Sequence, residues 1–147
     1  MVSDIDHIAI VVKKIEEKLP LYADVLGFRL ISIEDVPHMF VRVAMLESRD
    51  GSTHIELVEP TTTDSGVFRF LEKKGETIHH ICLLVPDLQK ELDRLKAGGV
   101  RLIDESPRKG EGGSLVAFLH PQSCHGVLIE LKQSIKIEPQ INTDGHA

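Results

Sequence analysis

Apolar residues gather in short β-branched runs and in stretches of helical period. Residues 5–12 form one such run and predict a buried strand. A helix in two pieces follows, with Pro20 at the first turn of the second piece, where its missing N–H costs nothing. Leu19, Tyr22 and Leu26 recur at helical spacing, and Gly27 is placed to end the helix. Strands then fit 28–34, 40–47 and 53–59. They are separated by Pro37-His38 and by the turn segment Arg49-Asp50-Gly51-Ser52. Asp64 or Ser65 is positioned to cap a short linking helix with Val67, Phe68 and Leu71 facing inward.

The second half repeats the first. His7-Ile8-Ala9-Ile10-Val11-Val12 answers to His80-Ile81-Cys82-Leu83-Leu84-Val85, 73 positions on. Gly27-Phe28-Arg29-Leu30-Ile31 answers to Gly99-Val100-Arg101-Leu102-Ile103, and Ile55-Glu56-Leu57 to Ile129-Glu130-Leu131, at offsets of 72 and 74. Matched blocks in one order at a nearly constant offset signal an internal duplication. A strand over 79–85 leads to a helix capped by Asp87, with Leu88, Leu92 and Leu95 on one face and Gly98-Gly99 at its end. Strands over 100–104, 115–120 and 126–132 complete the unit, with a glycine-rich loop at 110–113. The pattern predicts an α+β fold in which two βαβββ modules, about 5–60 and 78–133, form a cupped eight-stranded mixed sheet around a cavity. One domain over 1–133 is expected, followed by a polar, mobile tail over 134–147.

Composition narrows the function classes. The 147 residues are 41% hydrophobic and 27% charged, as expected of one globular domain with a real core. A net charge of −6 gives no basic footprint for nucleic acid. No apolar run approaches the ~20 residues of a membrane span, and the acidic opening lacks the basic start of a signal peptide. Cys82 and Cys124 are the only cysteines, so a cytoplasmic protein with two reduced thiols is expected. Trp is absent and Tyr22 is the lone tyrosine, which argues against recognition by aromatic stacking.

Polar residues interrupt the apolar strands at matched places. His7 and His80 lie in equivalent strands, and Glu56 and Glu130 in equivalent final strands. A carboxylate between apolar neighbours is costly to bury unless it is paired or metal-bound. Taken singly, each of these residues reads more readily as structural or solvent-facing. As a symmetric set, the four predict a mixed N/O site for one divalent ion, and Co²⁺, Zn²⁺, Ni²⁺ and Mn²⁺ all accept it. His79 is expected on the opposite sheet face by alternation. His54 shares the face of Glu56 and is expected near the cavity. His38, His120 and His125 lie near turns, and Glu47 and Glu59 read as edge charges.

The segments "DHIAIVV" at 6–12, "YADVLGF" at 22–28, "IELVEP" at 55–60, "IHHICLLVPDL" at 78–88 and "FLHPQSCHGVLIEL" at 118–131 carry a resemblance. The chain resembles the vicinal oxygen chelate (glyoxalase/bleomycin resistance/dioxygenase) superfamily and, within it, the methylmalonyl-CoA epimerase family. The last segment is the most specific to the epimerases, and the likeness spans about 5–133. It implies metal ligands at His7, Glu56, His80 and Glu130, a small acyl-CoA substrate and a homodimer. Some epimerases carry Gln at the position of Glu56, and Glu there makes the ligand set that of bacterial glyoxalase I enzymes. Val43 stands where some members carry a glutamate proposed as a catalytic base.

The implied reaction is epimerisation at C2 through an enolate, with Glu130 and Glu56 as candidate catalytic residues on opposite sides of the substrate. The loop Pro107–Ser114 joins close-approach glycines to Arg108 and Lys109. It suits an acyl carboxylate or CoA phosphates as well as it suits a solvated turn. A glyoxalase I-like lyase and a non-catalytic drug-binding protein are rival functions on the same scaffold. A ring-cleaving dioxygenase, with two His and one Glu around iron, is disfavoured by the fourth candidate ligand.

Overall fold

The computed structural model describes residues 1–135. The first half runs through β1 (Asp4–Val11), α1 (Ile15–Leu19), β2 (Arg29–Val36), β3 (Val41–Glu47) and β4 (His54–Pro60). The linking helix α2 (Gly66–Lys74) leads to β5 (Thr77–Val85), α3 (Leu88–Ala97), β6 (Arg108–Lys109), β7 (Leu115–Leu119) and β8 (Ile129–Gln133). All eight strands join one sheet in the order β2-β3-β4-β1-β5-β8-β7-β6. The predicted α+β architecture of two βαβββ modules is therefore present, and both modules lie in one chain.

The duplication is visible in the hydrogen-bond register. β1 and β5 meet antiparallel at the centre, and each pairs in parallel with the last strand of its own module. Ala9 sits opposite Glu56, and its repeat mate Cys82 sits opposite Glu130. Side-chain alternation then divides the sheet. Ala44, Leu46 and Leu57 pack with Ile15 on the helix-covered side, while Val43 and Val58 pack with Ala9 on the concave side. In the second module Leu131, Ala117 and Leu119 pack against Leu88 and Leu92 of α3.

Local chemistry sets the helix ends. The Ser65 hydroxyl accepts from Val67 N at 3.1 Å, and the Asp87 carboxylate from Lys90 N at 3.2 Å. No side chain of its own segment caps α1. Glu59 from β4 does so, its Oε2 accepting from Ile15 N at 2.9 Å and from the Arg42 guanidinium at 3.3 Å. Glu59 is thus a cap rather than a plain edge charge, and Glu47 pairs with Arg29.

Two expected details change. The strand placed at 100–104 is absent except for a single bridge between Leu102 and Leu119. Asp104 accepts from Phe118 N at 2.8 Å, and the amides of Ile103 and Asp104 both donate to Phe118 O, so no regular ladder continues there. The chain pairs again only beyond Pro107, as β6. Leu26, read at helical spacing with Leu19 and Tyr22, is 56% exposed. The turn over Pro20–Val25 is wider than an α-helix, and Leu26 N reaches back to Leu21 O, which swings Leu26 out of phase. Phe28 packs edge-on against Tyr22 instead. Of the expected tail, Ser134 N donates to Val85 O at 2.9 Å, and residues from 136 on lie outside the described residues.

Leu131, 2% exposed, is sealed between α3 and its own sheet. Leu131→Ala is expected to destabilise the chain by about 2–5 kcal/mol, read as a lower urea midpoint at unchanged slope.

Candidate metal centre

β1, β4, β5 and β8 each place one of the four singled-out side chains on the concave face, and these four meet. His7 Nε2 lies 3.3 Å from His80 Nε2, 3.3 Å from Glu56 Oε2 and 3.6 Å from Glu130 Oε1. Glu130 Oε1 lies 3.2 Å from His80 Nε2. Adjacent donor atoms held ~2.0–2.1 Å from one ion stand roughly 2.8–3.4 Å apart in octahedral or tetrahedral arrangements. The spacing and the donor chemistry both fit a single divalent cation, and His7, Glu56 and His80 present their ligand atoms within 4.8 Å of one another.

Each imidazole is held from behind, and the two holders are repeat mates. Asp6 Oδ2 lies 2.7 Å from His7 Nδ1. A carboxylate can only accept, so Nδ1 carries the proton and Nε2 keeps its lone pair for the centre. Lys132 Nζ backs Asp6 at 3.4 Å. In the other half His79 Nδ1 lies 2.8 Å from His80 Nδ1. Asp6 and His79 occupy the two register shifts between β1 and β5. A bulge re-aims its extra residue, which is why His79 turns to the cavity against strict alternation.

Electrostatics follow from burial among carboxylates. Burial opposes charge on His7, but Asp6, Glu56 and Glu130 outweigh it and raise its pKa. Burial, the largest influence on Glu56, pushes its carboxyl up. On Glu130 the same penalty is overcome by His80 and His7, and its pKa is lowered. Burial and the neighbouring His80 bring His79 down to about 4. Fully buried Cys82 is pushed far up, chiefly by burial, and remains a neutral thiol.

The centre forms the floor of a cavity of about 570 Å³. Its walls are apolar, with Val36, Val43, Met45, Val58 and Phe118 among them. The loop of Arg108–Ser114 borders it from the far edge of the sheet. The Arg108 guanidinium lies 5.2 Å from the Phe118 ring centre and 3.4 Å from Asp104. Glu111 also faces this space. Burial, then the charges of Glu56 and Glu34, raise its pKa to about 7.

The four residues singled out in the sequence thus converge. His54 does not join them and pairs with Glu47 at 3.3 Å instead. His38 lines the rim, and His120 accepts from Gln122 N at a turn. Sequence reasoning missed Asp6 as the support of His7, and His79 and Glu111 as cavity residues. For the first two a signal existed: they stand 73 positions apart, each just before a singled-out histidine.

A family model described as the Glyoxalase/Bleomycin resistance protein/Dioxygenase superfamily matches residues 6–118. The chain belongs to that superfamily. It is 42% identical to the protein YqjC of Bacillus subtilis, over 86% of this chain and 89% of that one. It is 36% identical to an ethylmalonyl-CoA/methylmalonyl-CoA epimerase of Cereibacter sphaeroides, over 90% of this chain and 99% of that one. A solved methylmalonyl-CoA epimerase in complex with methylmalonyl-CoA and NH4+ superposes with a TM-score of 0.84 at 37% identity, covering 94% of this chain and 99% of the other. Fold, family and donor set together support a divalent metal at this centre.

Two outcomes test the site. Asp6→Ala is expected to weaken divalent-ion binding about 10–100-fold, because the imidazole loses the acceptor that fixes its tautomer; calorimetric titration with Co²⁺ measures this. Glu111 has a folded pKa above its ordinary value, so its folded form binds the extra proton between about pH 4.5 and 7. Its contribution to stability therefore falls as pH rises through that window. Metal-free Glu111→Gln is expected to resist urea better than the parent at pH 8, with the gap closing towards pH 4.

Proposed function

We propose that the chain is a metal-dependent epimerase acting at C2 of methylmalonyl-CoA. The observation that carries this reading is a donor cluster at the floor of a largely apolar cavity, with cationic side chains on the bordering loop. In this reading His7, Glu56, His80 and Glu130 hold one ion, with Co²⁺, Zn²⁺, Ni²⁺ and Mn²⁺ all compatible with the donor set. The relatives named as epimerases, one with methylmalonyl-CoA bound, support the substrate class.

The ion, when bound, supplies Lewis-acid stabilisation for charge developing on a thioester oxygen, worth several kcal/mol. The chain's own residues do the rest. The Glu130 carboxylate faces the cavity and is assigned as the base that takes the C2 proton. Asp6 and His79 fix the two imidazoles so that the centre keeps its shape while the substrate changes charge. Arg108 and Lys109 offer positive charge to the acyl carboxylate or the CoA phosphates. The apolar walls exclude water from the carbanion and strengthen every charge interaction inside.

The same reading takes the protein as a cytoplasmic homodimer with Cys82 and Cys124 reduced. Both thiols are free. Edge strand β2 carries exposed Leu30, Ile31 and Ile33, a row suited to burial against a second copy. Among the described residues no helix is long and apolar enough to cross a membrane.

The test is incubation of metal-reconstituted protein with a single epimer of methylmalonyl-CoA in D₂O. The expected result is conversion to an epimer mixture with deuterium at C2. An inert thioester, together with S-lactoylglutathione made from the methylglyoxal–glutathione adduct, would replace this reading with the lyase.

A further inference from the structure

We propose that Glu111 is the second proton carrier, acting on the face of the substrate opposite Glu130. The inference rests on the epimerase reading above. Inverting a carbon centre requires a proton to leave one face and another to arrive on the other. The two carboxylates singled out in the sequence do not provide this arrangement. Glu56 and Glu130 both rise from the sheet floor into one cluster, with oxygens 3.3 and 3.6 Å from the same His7 nitrogen. A substrate lying over that cluster meets both from the same side. Val43 faces the cavity from β3 and has no proton to give.

Glu111 approaches from elsewhere. It sits on the loop between β6 and β7, at the far end of the strand order from β2. Yet it lines the same cavity as Glu34 on β2 and as Glu56 and His7 on the floor. The curl of the sheet therefore brings this loop and β2, the two ends of the strand order, to one cavity. The loop is built to hold it there. Gly110 lies so close to β7 that a Cβ would stand 2.9 Å from a Val116 methyl. Gly112 and Gly113 take φ values of +64° and +77°, which a side chain would strain. Gly110 N donates to Ser114 O at 2.7 Å, and the Ser114 hydroxyl donates to Glu111 O at 2.8 Å. The backbone is thus anchored while the carboxyl faces the cavity. Half-burial beside other carboxylates leaves a large share of this group protonated near neutrality, the state a proton donor needs.

The step balances as follows. Glu130 forms a bond to the C2 proton, and the C2–H electron pair moves to make a C1–C2 double bond while the thioester carbonyl pair goes to its oxygen. The oxygen pair then returns, and the C1–C2 pair takes the proton from Glu111 on the other face. Glu130 ends protonated and Glu111 ionised. The reverse turnover or exchange with solvent resets both.

The test compares parent, Glu111→Gln and Glu130→Gln, each metal-loaded, on the separate (2R) and (2S) epimers in D₂O. Epimerisation and C2 deuterium uptake are followed together. Glu111→Gln is expected to lose epimerisation by at least ~100-fold while one epimer still exchanges its C2 proton. Its metal content and its affinity for propionyl-CoA are expected to match the parent. Glu130→Gln is expected to lose exchange on the epimer that Glu111→Gln retains. Parent-like epimerisation by Glu111→Gln would overturn the proposal. So would equal loss of exchange on both epimers, or loss of metal from that variant. A parent protein that neither epimerises nor exchanges would instead overturn the epimerase reading itself.

Discussion

Everything in this molecule depends on gathering two imidazoles and two carboxylates at one point inside an apolar sheet. Burying two carboxylates within a few ångströms of each other is costly, because desolvation and like-charge repulsion act together. Burial pushes Glu56 up, and His7 is held towards its charged form by the acids around it. A divalent cation removes both penalties at once. The rest of the architecture can be read as the means of holding that arrangement ready.

Duplication is the economical way to build it. One βαβββ module supplies one histidine from its first strand and one glutamate from its last. Two modules joined by an antiparallel β1–β5 seam place the second pair across an approximate twofold axis. The seam also carries the two bulges, so each candidate ligand histidine has a neighbour turned to support its far nitrogen. The pseudo-symmetry stops there, since one support is an acid and the other an imidazole. The loops differ as well, and the Arg108–Ser114 loop alone brings cations and a half-buried carboxyl to the cavity.

The fold was legible because repetition and alternation are one-dimensional signals. The offset between Ile55-Glu56-Leu57 and Ile129-Glu130-Leu131 can be counted without coordinates, and the convergence of the four polar side chains follows from it. What was not legible arises where three-dimensional bonding overrides period. The Asp104 carboxylate takes the Phe118 amide that a regular ladder to a strand over 100–104 would have used. A widened turn after Pro20 rotates Leu26 to solvent. A bulge turns His79 inward against alternation. Glu111 sits in a loop whose approach to the centre depends on how far the sheet curls, and no local pattern encodes that.

The most direct measurement is anomalous diffraction from crystals of the Co²⁺-loaded protein. One strong peak per chain is predicted, bonded to Nε2 of both His7 and His80 and to carboxylate oxygens of Glu56 and Glu130. A peak held by other side chains, or a centre that stays empty when Co²⁺ is in excess, would contradict the account.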